Sequence, residues 1–324
     1  TPSPKVIRAL SELPARLLQR YPDPLATGFR RAAAKLHGLE PEQVVATNGG
    51  DELLRLAITT FVDPGTPIGI ATPSYGLYSI LAVIHQTPLS IVALTEAWEF
   101  PEETAIRWNE DGAQLALITN PHAPSGALAP LGAIGCLAAT FRGVLLVDEA
   151  YVDFVDPALE HDATTLLGRY PNVLLLRTLS KGYGLAGLRL GYGLGDAGLI
   201  APILGKTKDS YNVGALAQRL GAAALDDIEY SKASWAYVRK ERALLADALT
   251  GLGFGVEPSQ TNFVFATPPR HAGAQMARAL HIELEARGIY VRWFDEERLR
   301  DRLRISVGTS EENTALVKAL REIV

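Results

Sequence analysis

The sequence is short of several residue types, and each shortage excludes a class of protein. It contains one cysteine, Cys136, and one methionine among 324 residues. A single cysteine excludes a disulfide within the chain and fits a reducing compartment, so we expect a cytoplasmic location. Cys136 lies in the apolar stretch "IGCLAAT", where we expect a buried helical thiol rather than a nucleophile.

Two further absences limit the partners. No apolar run reaches the roughly 18 residues of a membrane span and no signal peptide is visible, so we expect no membrane partner. The 31 lysines and arginines face 36 acids, giving a net charge of −5 without a basic stripe, so nucleic acid is not an expected partner. No metal site is expected.

What the sequence does contain, from about residue 40 to 225, is an alternation of short apolar runs with helical patterns. Residues 51–62 and 75–86 have helical periodicity. The runs between such patterns are apolar on both faces, which predicts an α/β domain whose mostly parallel sheet is covered on both sides. The predicted strands are "TPIGIAT" (66–72), "LSIVAL" (89–94), "QLALITN" (114–120), "GVLLVDEAY" (143–151), "NVLLLRT" (172–178) and "RLGYGLG" (189–195).

The pattern changes near residue 226. A long helical stretch (227–253) is followed by "TNFVFAT", a second helical stretch (272–288), "IYVRWF", "LRISVG" and a terminal helix. This order predicts a smaller α+β domain. We therefore divide the chain into an N-terminal segment (1–27) with one short helix and a turn, a large domain (28–225) and a small C-terminal domain (226–324).

The stretch "RTLSKGYGLAGLRLGYGLG" at residues 177–195 has two interpretations. Residues 182–187 spell G-x-G-x-x-G, the dinucleotide-binding pattern, but Lys181 directly precedes them in a Ser-Lys-Gly turn. A dinucleotide fingerprint lies directly between a strand and a helix, with an acid about 20 residues later. Here a strand-like segment follows the glycines, and the acid at that distance, Asp209, does not end a strand. These mismatches favour a loop that presents a reactive lysine.

A lysine that carries pyridoxal phosphate needs a carboxylate for the pyridine nitrogen, a phosphate cradle and a group that stacks on the ring. Asp148 closes an apolar strand, and Lys181 lies past the next strand on the same edge of the sheet. Because the carboxyl ends of strands line the ligand crevice of such sheets, we assign Asp148 to the cofactor; the alternative is a helix N-cap. Tyr151, three residues later, can reach the ring hydroxyl.

The other supports also follow predicted strands. Gly49, Gly50 and Asp51 open a helix whose free backbone N–H groups can bind phosphate; the alternative role for Asp51 is a helix acid. Asn120 begins the turn "NPHAPSG" and can donate to the ring hydroxyl. Tyr75 can lie on the ring face, although by itself it is an ordinary packing residue. Further phosphate ligands near the lysine are Thr178, Ser180 and Arg189.

Four stretches, "NPHAPSG", "VDEAYVDF", "RTLSKGYGLAGLRLGY" and "LRISVGTSEEN", resemble in order and spacing the fold type I aminotransferases that use pyridoxal phosphate. Within that family the chain is most similar to the histidinol-phosphate aminotransferase branch. The resemblance covers nearly the whole chain. It implies a large domain with a mostly parallel central sheet between helices, and a smaller α+β C-terminal domain.

The resemblance also implies a role for each matching residue. Lys181 would carry pyridoxal 5'-phosphate and move the substrate proton, Asp148 would pair with the pyridinium, and Tyr75 would stack on the ring. Tyr151 and Asn120 would bind the ring oxygen. The residues that would hold the phosphate are Gly50, Asp51, Thr178, Ser180 and Arg189.

Three more residues concern the substrate and the partner subunit. Tyr21, in "QRYPDP", resembles a tyrosine that reaches the phosphate of the other subunit, which implies a homodimer with shared active sites. Arg304 would bind a substrate α-carboxylate as a bidentate fork, and Arg292 matches the arginine that meets the substrate phosphate. The chain departs from the family turn N-P-N-N-P-T-G at residues 122, 123 and 125, and we expect His122 to be a solvated loop residue.

The implied reaction moves an amino group from L-histidinol phosphate to 2-oxoglutarate, giving imidazole acetol phosphate and L-glutamate. Aromatic amino acids are the second donor class. A decarboxylase of the same cofactor, such as a threonine-phosphate decarboxylase, stays open, because the reaction depends on which Cα bond lies perpendicular to the ring. A sensor domain of a transcription regulator would need a helix-turn-helix, and we expect none before residue 1. The family's N-terminal arm, with its Asn-Glu-Asn-Pro-like stretch, lies outside this sequence.

Overall fold

The computed structural model describes residues 1–269 and 275–324. The first three residues of the predicted helical stretch 272–288 lie outside the described residues. The described chain forms two compact units. The first comprises Thr1–Asn120, Ala129–Ala150 and Glu160–Ala233, and the second comprises Pro121–Leu128, Tyr151–Leu159 and Ser234–Val324. The domain boundaries after residues 27 and 225 stay predictions.

A seven-stranded sheet forms the centre of the first unit, with strand order β1-β7-β6-β5-β4-β2-β3. Only β7 runs against the direction of the others, because β7 pairs antiparallel with both β1 and β6. The mostly parallel sheet predicted from the apolar runs is therefore confirmed. The strands are β1 (Val44–Thr47), β2 (Ile68–Thr72), β3 (Leu89–Ala93), β4 (Leu115–Thr119), β5 (Val144–Asp148), β6 (Val173–Thr178) and β7 (Gly191–Gly195).

Three strands of this sheet have no exposed face. Every residue of β4, β5 and β7 is buried, so these strands have no solvent side on which polar residues could alternate. The helices of this unit are α1 (Pro4–Ser11), α2 (Thr27–His37), α3 (Gly50–Phe61), α4 (Leu77–Ile84), α5 (Thr104–Glu110), α6 (Leu131–Thr140), α7 (Thr164–Leu167), α8 (Ala197–Pro202) and α9 (Ala215–Leu225). Helices α3 and α8 contact β7 and α7 contacts β6, whereas α9 packs on α1 and α2.

The second unit contains a four-stranded sheet with the order β10-β11-β9-β8, in which every neighbouring pair is antiparallel. Its strands are β8 (Gly255–Val256), β9 (Phe263–Thr267), β10 (Arg292–Trp293) and β11 (Leu303–Ser306). The helices α11 (Met276–Ala286) and α12 (Ser310–Ile323) bury leucines in one core with β9 and β11. Helix α10 (Ile228–Gly251) includes the boundary between residues 233 and 234.

The environment of Cys136 differs from the prediction. Cys136 lies in α6 as expected, but its side chain is exposed. The buried residues of α6 are Ile134, Gly135, Leu137 and Ala138, and a period of 3.6 residues places position 136 on the opposite face. The thiol was predicted to be buried from the apolar composition of the stretch, and that prediction was wrong.

No helix in the described ranges combines the length and the apolarity that a bilayer crossing requires.

Candidate functional site

The ends of five strands bring the predicted cofactor residues to one edge of the large sheet. Thr119 is the register partner of Asp148 in the parallel pair β4–β5, and Asp148 is the partner of Leu176 in β5–β6. The Asn120 backbone N–H donates to the carbonyl oxygen of Asp148 at 2.9 Å. Thr178 ends β6 opposite Gly191, which in turn pairs with the last residue of β1. The carboxyl ends of β4, β5, β6 and β1, together with the amino end of the antiparallel β7, therefore form one continuous rim.

Asp148 ends β5, the middle strand of the seven-stranded sheet, and 5% of its surface is exposed. The hydroxyl of Tyr78 donates to Oδ2 at 3.2 Å, and the Ala150 backbone N–H donates to Oδ1 at 3.0 Å. Burial raises the pKa of Asp148 to about 6, the two hydrogen bonds act in the opposite direction, and the charges of Asp51 and Glu149 raise it further. None of the groups that shift the pKa of Asp148 is a cationic side chain. The carboxylate is therefore suited to pair with a positively charged ligand.

The start of α3 forms a corner beside β7 whose backbone donors suit an anion. Gly49 caps the helix with φ 77°, and a Cβ there would stand 2.6 Å from Nη2 of Arg189. A Cβ on Gly191 would stand 2.7 Å from the carbonyl carbon of Gly49. Only glycine therefore permits this approach of the two segments. The first N–H groups of α3 have no partners within the helix, and the dipole adds positive potential there.

Arg189 and Ser180 complete this corner. Arg189 adopts the left-handed conformation (φ 51°), and its guanidinium lies 3.8 Å from the Asp51 carboxylate and 3.5 Å from Ser180 Oγ. Thr178 Oγ1 accepts a hydrogen bond from the Ser180 backbone N–H at 3.1 Å. Helix N–H groups, two hydroxyls and one guanidinium are the donor set that phosphate prefers.

Lys181 follows Ser180 in the turn after β6, and its side chain is exposed. The turn is closed by a hydrogen bond from the Gly184 N–H to the Lys181 carbonyl at 3.1 Å, with Gly184 at φ 65°. The segment after the glycines is the strand β7, not a long helix. The glycines of residues 182–187 therefore shape a turn that presents Lys181, and the strand that follows them does not fit a dinucleotide-binding motif.

Tyr75 stands near the same corner after β2. Its hydroxyl donates to Oδ1 of Asp51 at 3.4 Å, and its ring meets that of Tyr78 edge-on with centroids 5.8 Å apart. Tyr75 is 41% exposed.

Asn120 is fully buried at the end of β4. Its Oδ1 accepts from the Ala129 N–H at 2.8 Å, and its Nδ2 lies 3.2 Å from both the Ala129 carbonyl and Nε2 of His161. These contacts fix the amide plane. Its predicted donation to a ring hydroxyl stays a prediction.

In the second unit, two arginines stand side by side. Arg292 in β10 and Arg304 in β11 are register partners. Both guanidinium groups lie over the ring of Phe294, at 5.3 and 5.6 Å from its centroid, and that of Arg304 also lies 5.1 Å from the ring of Phe263. The Tyr151 ring meets Phe263 edge-on at 5.1 Å. The structure thus groups the three predicted residues of this unit, Tyr151, Arg292 and Arg304, around two phenylalanine rings.

Comparisons with known proteins agree with this architecture. A family model described as aminotransferase class I and II matches residues 1–320. The chain belongs to that family. It is 39% identical over 323 residues to histidinol-phosphate aminotransferase 1 of Trichormus variabilis, covering 100% of this chain and 89% of that protein. It is 40% identical to a histidinol-phosphate aminotransferase of Geobacter sp. strain M21, covering 99% of this chain and 88% of that one.

A solved structure shares the fold at high similarity. The crystal structure of histidinol-phosphate aminotransferase from Sinorhizobium meliloti, in complex with pyridoxal-5'-phosphate, superposes with a TM-score of 0.91 at 26% identity. The match covers 100% of this chain and 89% of that one. The fold type I architecture and the aminotransferase class of this enzyme are therefore established.

One residue of this aminotransferase differs from its predicted environment. His122, expected to be a solvated loop residue, is 6% exposed. Its Nδ1 lies 2.7 Å from Ser125 Oγ, and its backbone exchanges hydrogen bonds with Gly126 and Ala127 across the turn. The tight turn folds the imidazole inward against Ser125, which is why the prediction of a solvated side chain was wrong although His122 does lie in a loop.

Sequence reasoning missed a buried polar cluster beneath the rim. Nε of Arg177 donates to Oε2 of Glu149 at 2.7 Å, and burial raises the pKa of Glu149. Burial, and then the charge of Arg177, lower the pKa of His161 and bring that of His37 to about 3, so both imidazoles are neutral near pH 7. The adjacent acids in "VDEAY" gave a signal for Glu149, whereas nothing local marks His37, whose Nε2 lies 2.9 Å from the Tyr192 hydroxyl.

Tyr78 was also missed. It is 1% exposed and was interpreted only as part of a helical pattern, yet it contacts Asp148 directly.

The residues of the rim fit pyridoxal phosphate. The positive φ of Gly49 (77°) and the close approach of Gly191 to its backbone bring the α3 N-terminus beside Arg189. The buried Asp148 carboxylate, whose pKa is not shifted by any cationic side chain of the described residues, lies where the strand ends meet. The donor set suits a phosphate and the acid suits a protonated ring nitrogen.

Proposed function

We propose that this enzyme transfers the amino group of L-histidinol phosphate to 2-oxoglutarate with pyridoxal 5'-phosphate as cofactor. The products are imidazole acetol phosphate and L-glutamate. Two histidinol-phosphate aminotransferases at 39% and 40% identity over essentially the whole chain support this substrate, and so does the cofactor in the Sinorhizobium meliloti structure.

The observation that carries the substrate proposal is the pair Arg292 and Arg304. Like charges directly opposite each other in an antiparallel pair repel, and this cost is offset when an anion binds between them. Both guanidinium groups lie over the ring of Phe294, and this contact favours a fixed orientation of their fork-shaped donors. L-Histidinol phosphate carries a phosphate and 2-oxoglutarate carries a second carboxylate. Each substrate would therefore present an anionic group to the two arginines.

The cofactor proposal assigns chemistry to the residues of the rim. When bound, pyridoxal phosphate supplies an electron sink that stabilises negative charge at the substrate Cα. Lys181 would hold the cofactor covalently and afterwards move the α-proton as general base and acid. Asp148 would keep the ring nitrogen protonated. Asn120 and Tyr151 would donate to the ring oxygen, and Tyr75 would cover the ring.

The phosphate would rest in the corner formed by the backbone N–H groups of Gly50 and Asp51 with Thr178, Ser180 and Arg189. This assignment is supported by the donor set and by the glycine requirement at Gly49. The Asp51 carboxylate serves a different role, since it accepts from Tyr75 and faces Arg189.

We also propose a homodimer in the cytoplasm. Tyr21 is 81% exposed and stacks on Tyr211, with centroids 4.5 Å apart and an interplanar angle of 16°. The stacking restrains the Tyr21 ring, and the exposure of Tyr21 leaves it at the surface. This placement suits a tyrosine whose hydroxyl reaches the phosphate bound by the partner subunit.

The test is a substrate comparison with the purified chain loaded with pyridoxal phosphate. L-histidinol phosphate, phenylalanine and threonine phosphate are supplied in turn with 2-oxoglutarate, and glutamate and CO₂ are both measured. We expect glutamate formation with a kcat/KM for histidinol phosphate well above that for phenylalanine, and no CO₂. Preference for phenylalanine would indicate an aromatic aminotransferase, and CO₂ from threonine phosphate without glutamate would indicate a decarboxylase.

A further inference from the structure

The hydroxyl of Tyr78 contacts the acid on which the cofactor's electron sink depends. Tyr78 lies in the first turn of α4, three residues after Tyr75, and its side chain is buried. Its OH donates to Oδ2 of Asp148 at 3.2 Å. The two residues come from different strand–helix connections, 70 positions apart in the sequence, so only the fold brings them together.

We propose that Tyr78 is a positioning residue that orients the Asp148 carboxylate toward the cofactor's ring nitrogen and keeps it able to hold the ring proton. This inference rests on the proposed function, because it assigns a role to Asp148 on the cofactor.

The geometry of the carboxylate carries the orientation step. The Ala150 N–H donates to Oδ1 and the Tyr78 hydroxyl donates to Oδ2, so each oxygen is fixed by one donor. An ionised carboxylate offers about four lone-pair sites on its two oxygens. Two sites are used by these donors, and the remaining ones can accept the ring N–H. Removing the hydroxyl leaves the carboxylate anchored through one oxygen only.

The electrostatics carry the second step. Asp148 is desolvated, and the nearby acids Asp51 and Glu149 both disfavour its charged form. Against these, the contributors that favour ionisation are the hydrogen bonds from the Ala150 N–H and the Tyr78 hydroxyl. A neutral Asp148 cannot stabilise a ring proton. Tyr78 therefore keeps the acid ionised until the cofactor supplies the positive charge.

The test compares Tyr78→Phe with Tyr192→Phe. Both substitutions keep a buried ring and remove one hydroxyl, but the Tyr192 hydroxyl bonds His37 instead of Asp148. In the cofactor-free protein, Tyr78→Phe should raise the apparent pKa of Asp148 by about one unit, a tenfold change in its ionisation constant. The free energy of unfolding that is lost as pH rises through the pKa of Asp148 should then be lost about one pH unit higher. Tyr192→Phe should not move this pH range.

Cofactor affinity gives a second measurement. Fluorescence titration of the cofactor-free protein with pyridoxal phosphate should show a weaker apparent Kd in Tyr78→Phe. The difference from wild type should be a few-fold larger at pH 6.5 than at pH 8.5, because more of Asp148 is neutral at the lower pH. In the loaded enzyme, kcat should fall on the order of tenfold while KM changes little.

A double-mutant cycle separates the proposed role from simple packing. If Tyr78 acts through Asp148, Tyr78→Phe should have no further effect on cofactor Kd in an Asp148→Asn background. A pH-independent loss of stability in Tyr78→Phe, with unchanged cofactor Kd, would overturn the inference. A large effect of Asp148→Asn together with none from Tyr78→Phe would remove only this inference, whereas no effect of Asp148→Asn would remove the proposed cofactor chemistry itself.

Discussion

The rim of the seven-stranded sheet and the arginine pair of the four-stranded sheet hold charge in opposite ways. The Asp148 carboxylate is buried, anchored through both oxygens and costly to ionise. Arg292 is exposed and Arg304 half-buried, and they rest on aromatic faces. A buried acid that lacks a counter-charge suits a permanent cofactor that brings one. The two arginines remain in contact with solvent, so an anion can bind to them and leave at little desolvation cost. This suits substrates that bind and dissociate in every catalytic cycle.

The largest expected effect is on the rim. Lys181→Ala should abolish transamination, with a loss of at least about 1,000-fold in kcat, because the general acid–base step alone contributes roughly 100- to 10,000-fold. Borohydride reduction followed by mass spectrometry should no longer find cofactor attached to the chain. The phosphate corner is untouched, so equilibrium dialysis should still detect bound pyridoxal phosphate.

The matched control is Lys35→Ala, which removes an exposed lysine from α2. It should keep both turnover and covalent attachment. A Lys181→Ala enzyme that turns over at a rate near the parent would contradict the whole assignment of the rim.

The second prediction concerns the buried acid. Asp148→Asn should lower kcat on the order of 100- to 1,000-fold, because an amide cannot hold the ring nitrogen protonated. Normal turnover would mean that Asp148 is only a structural residue at the end of β5.

The same substitution should change how the stability of the cofactor-free protein depends on pH. The pKa of folded Asp148 lies above the unfolded value of 3.8, at about 6, so its contribution is fully present below pH 3.8 and is lost as pH rises through 6. Between pH 5 and pH 8, wild type should therefore lose about 1 kcal/mol more of its unfolding free energy than Asp148→Asn. Denaturant titrations at several pH values measure this difference, and parallel curves would argue against the raised pKa.

The third prediction tests the arginine pair. Arg292→Gln should reduce kcat/KM for histidinol phosphate by roughly 30- to 1,000-fold, which corresponds to a charge-assisted phosphate contact of about 2–4 kcal/mol. Phenylalanine, which carries no phosphate, should lose only a few-fold. Arg300→Gln, which removes an exposed arginine from the segment before β11, should affect neither substrate.

Equal losses for both substrates in Arg292→Gln would indicate a general structural role for the residue. No loss for either would leave histidinol phosphate without its phosphate contact and would favour the aromatic aminotransferase. Either result would remove the contrast between a catalytic rim and a substrate-selecting arginine pair.

The two regions also differ in how far the sequence predicts them. The large sheet was predictable because strands buried on both faces are continuous apolar runs, and Lys181 and Asp148 follow such runs directly. Strand β1 was missed since it is only four residues long and its partner β7 lies about 150 positions later. Strand β8 was missed because two residues are too few for an alternating pattern, whereas β10 lies within the predicted run "IYVRWF".

Residues that act through tertiary contacts leave little local signal. Tyr78 resembles any aromatic in an apolar helix until the fold places its hydroxyl on Asp148. The paired guanidiniums of Arg292 and Arg304 depend on strand register, which the motifs alone do not specify. Cys136 was predicted to be buried from the apolar composition around it, but its position in the helix turns it to solvent. His122 was predicted to be solvated because it lies in a loop, but the geometry of the turn buries it.

The smallest expected effect lies in the second unit, away from either charged region. Thr309 caps α12: its side chain accepts from the Glu312 N–H at 3.3 Å, and the Glu312 carboxylate accepts from the Thr309 N–H at 2.8 Å. Thr309→Ala should cost about 1 kcal/mol of unfolding free energy, because the capping box satisfies two N–H groups that the helix cannot. Thr314→Ala, in the middle of the same helix, removes a hydroxyl that donates to the Ser310 carbonyl in the preceding turn and should be neutral or slightly stabilising.

Urea titrations of both variants measure the difference, and kcat should stay unchanged in each, since neither side chain belongs to the rim or the arginine pair. A Thr309→Ala enzyme that kept its stability but lost turnover would show that α12 positions Arg304 and its neighbours on β11 for catalysis, and the separation between fold-supporting and substrate-selecting residues in this unit would then fail.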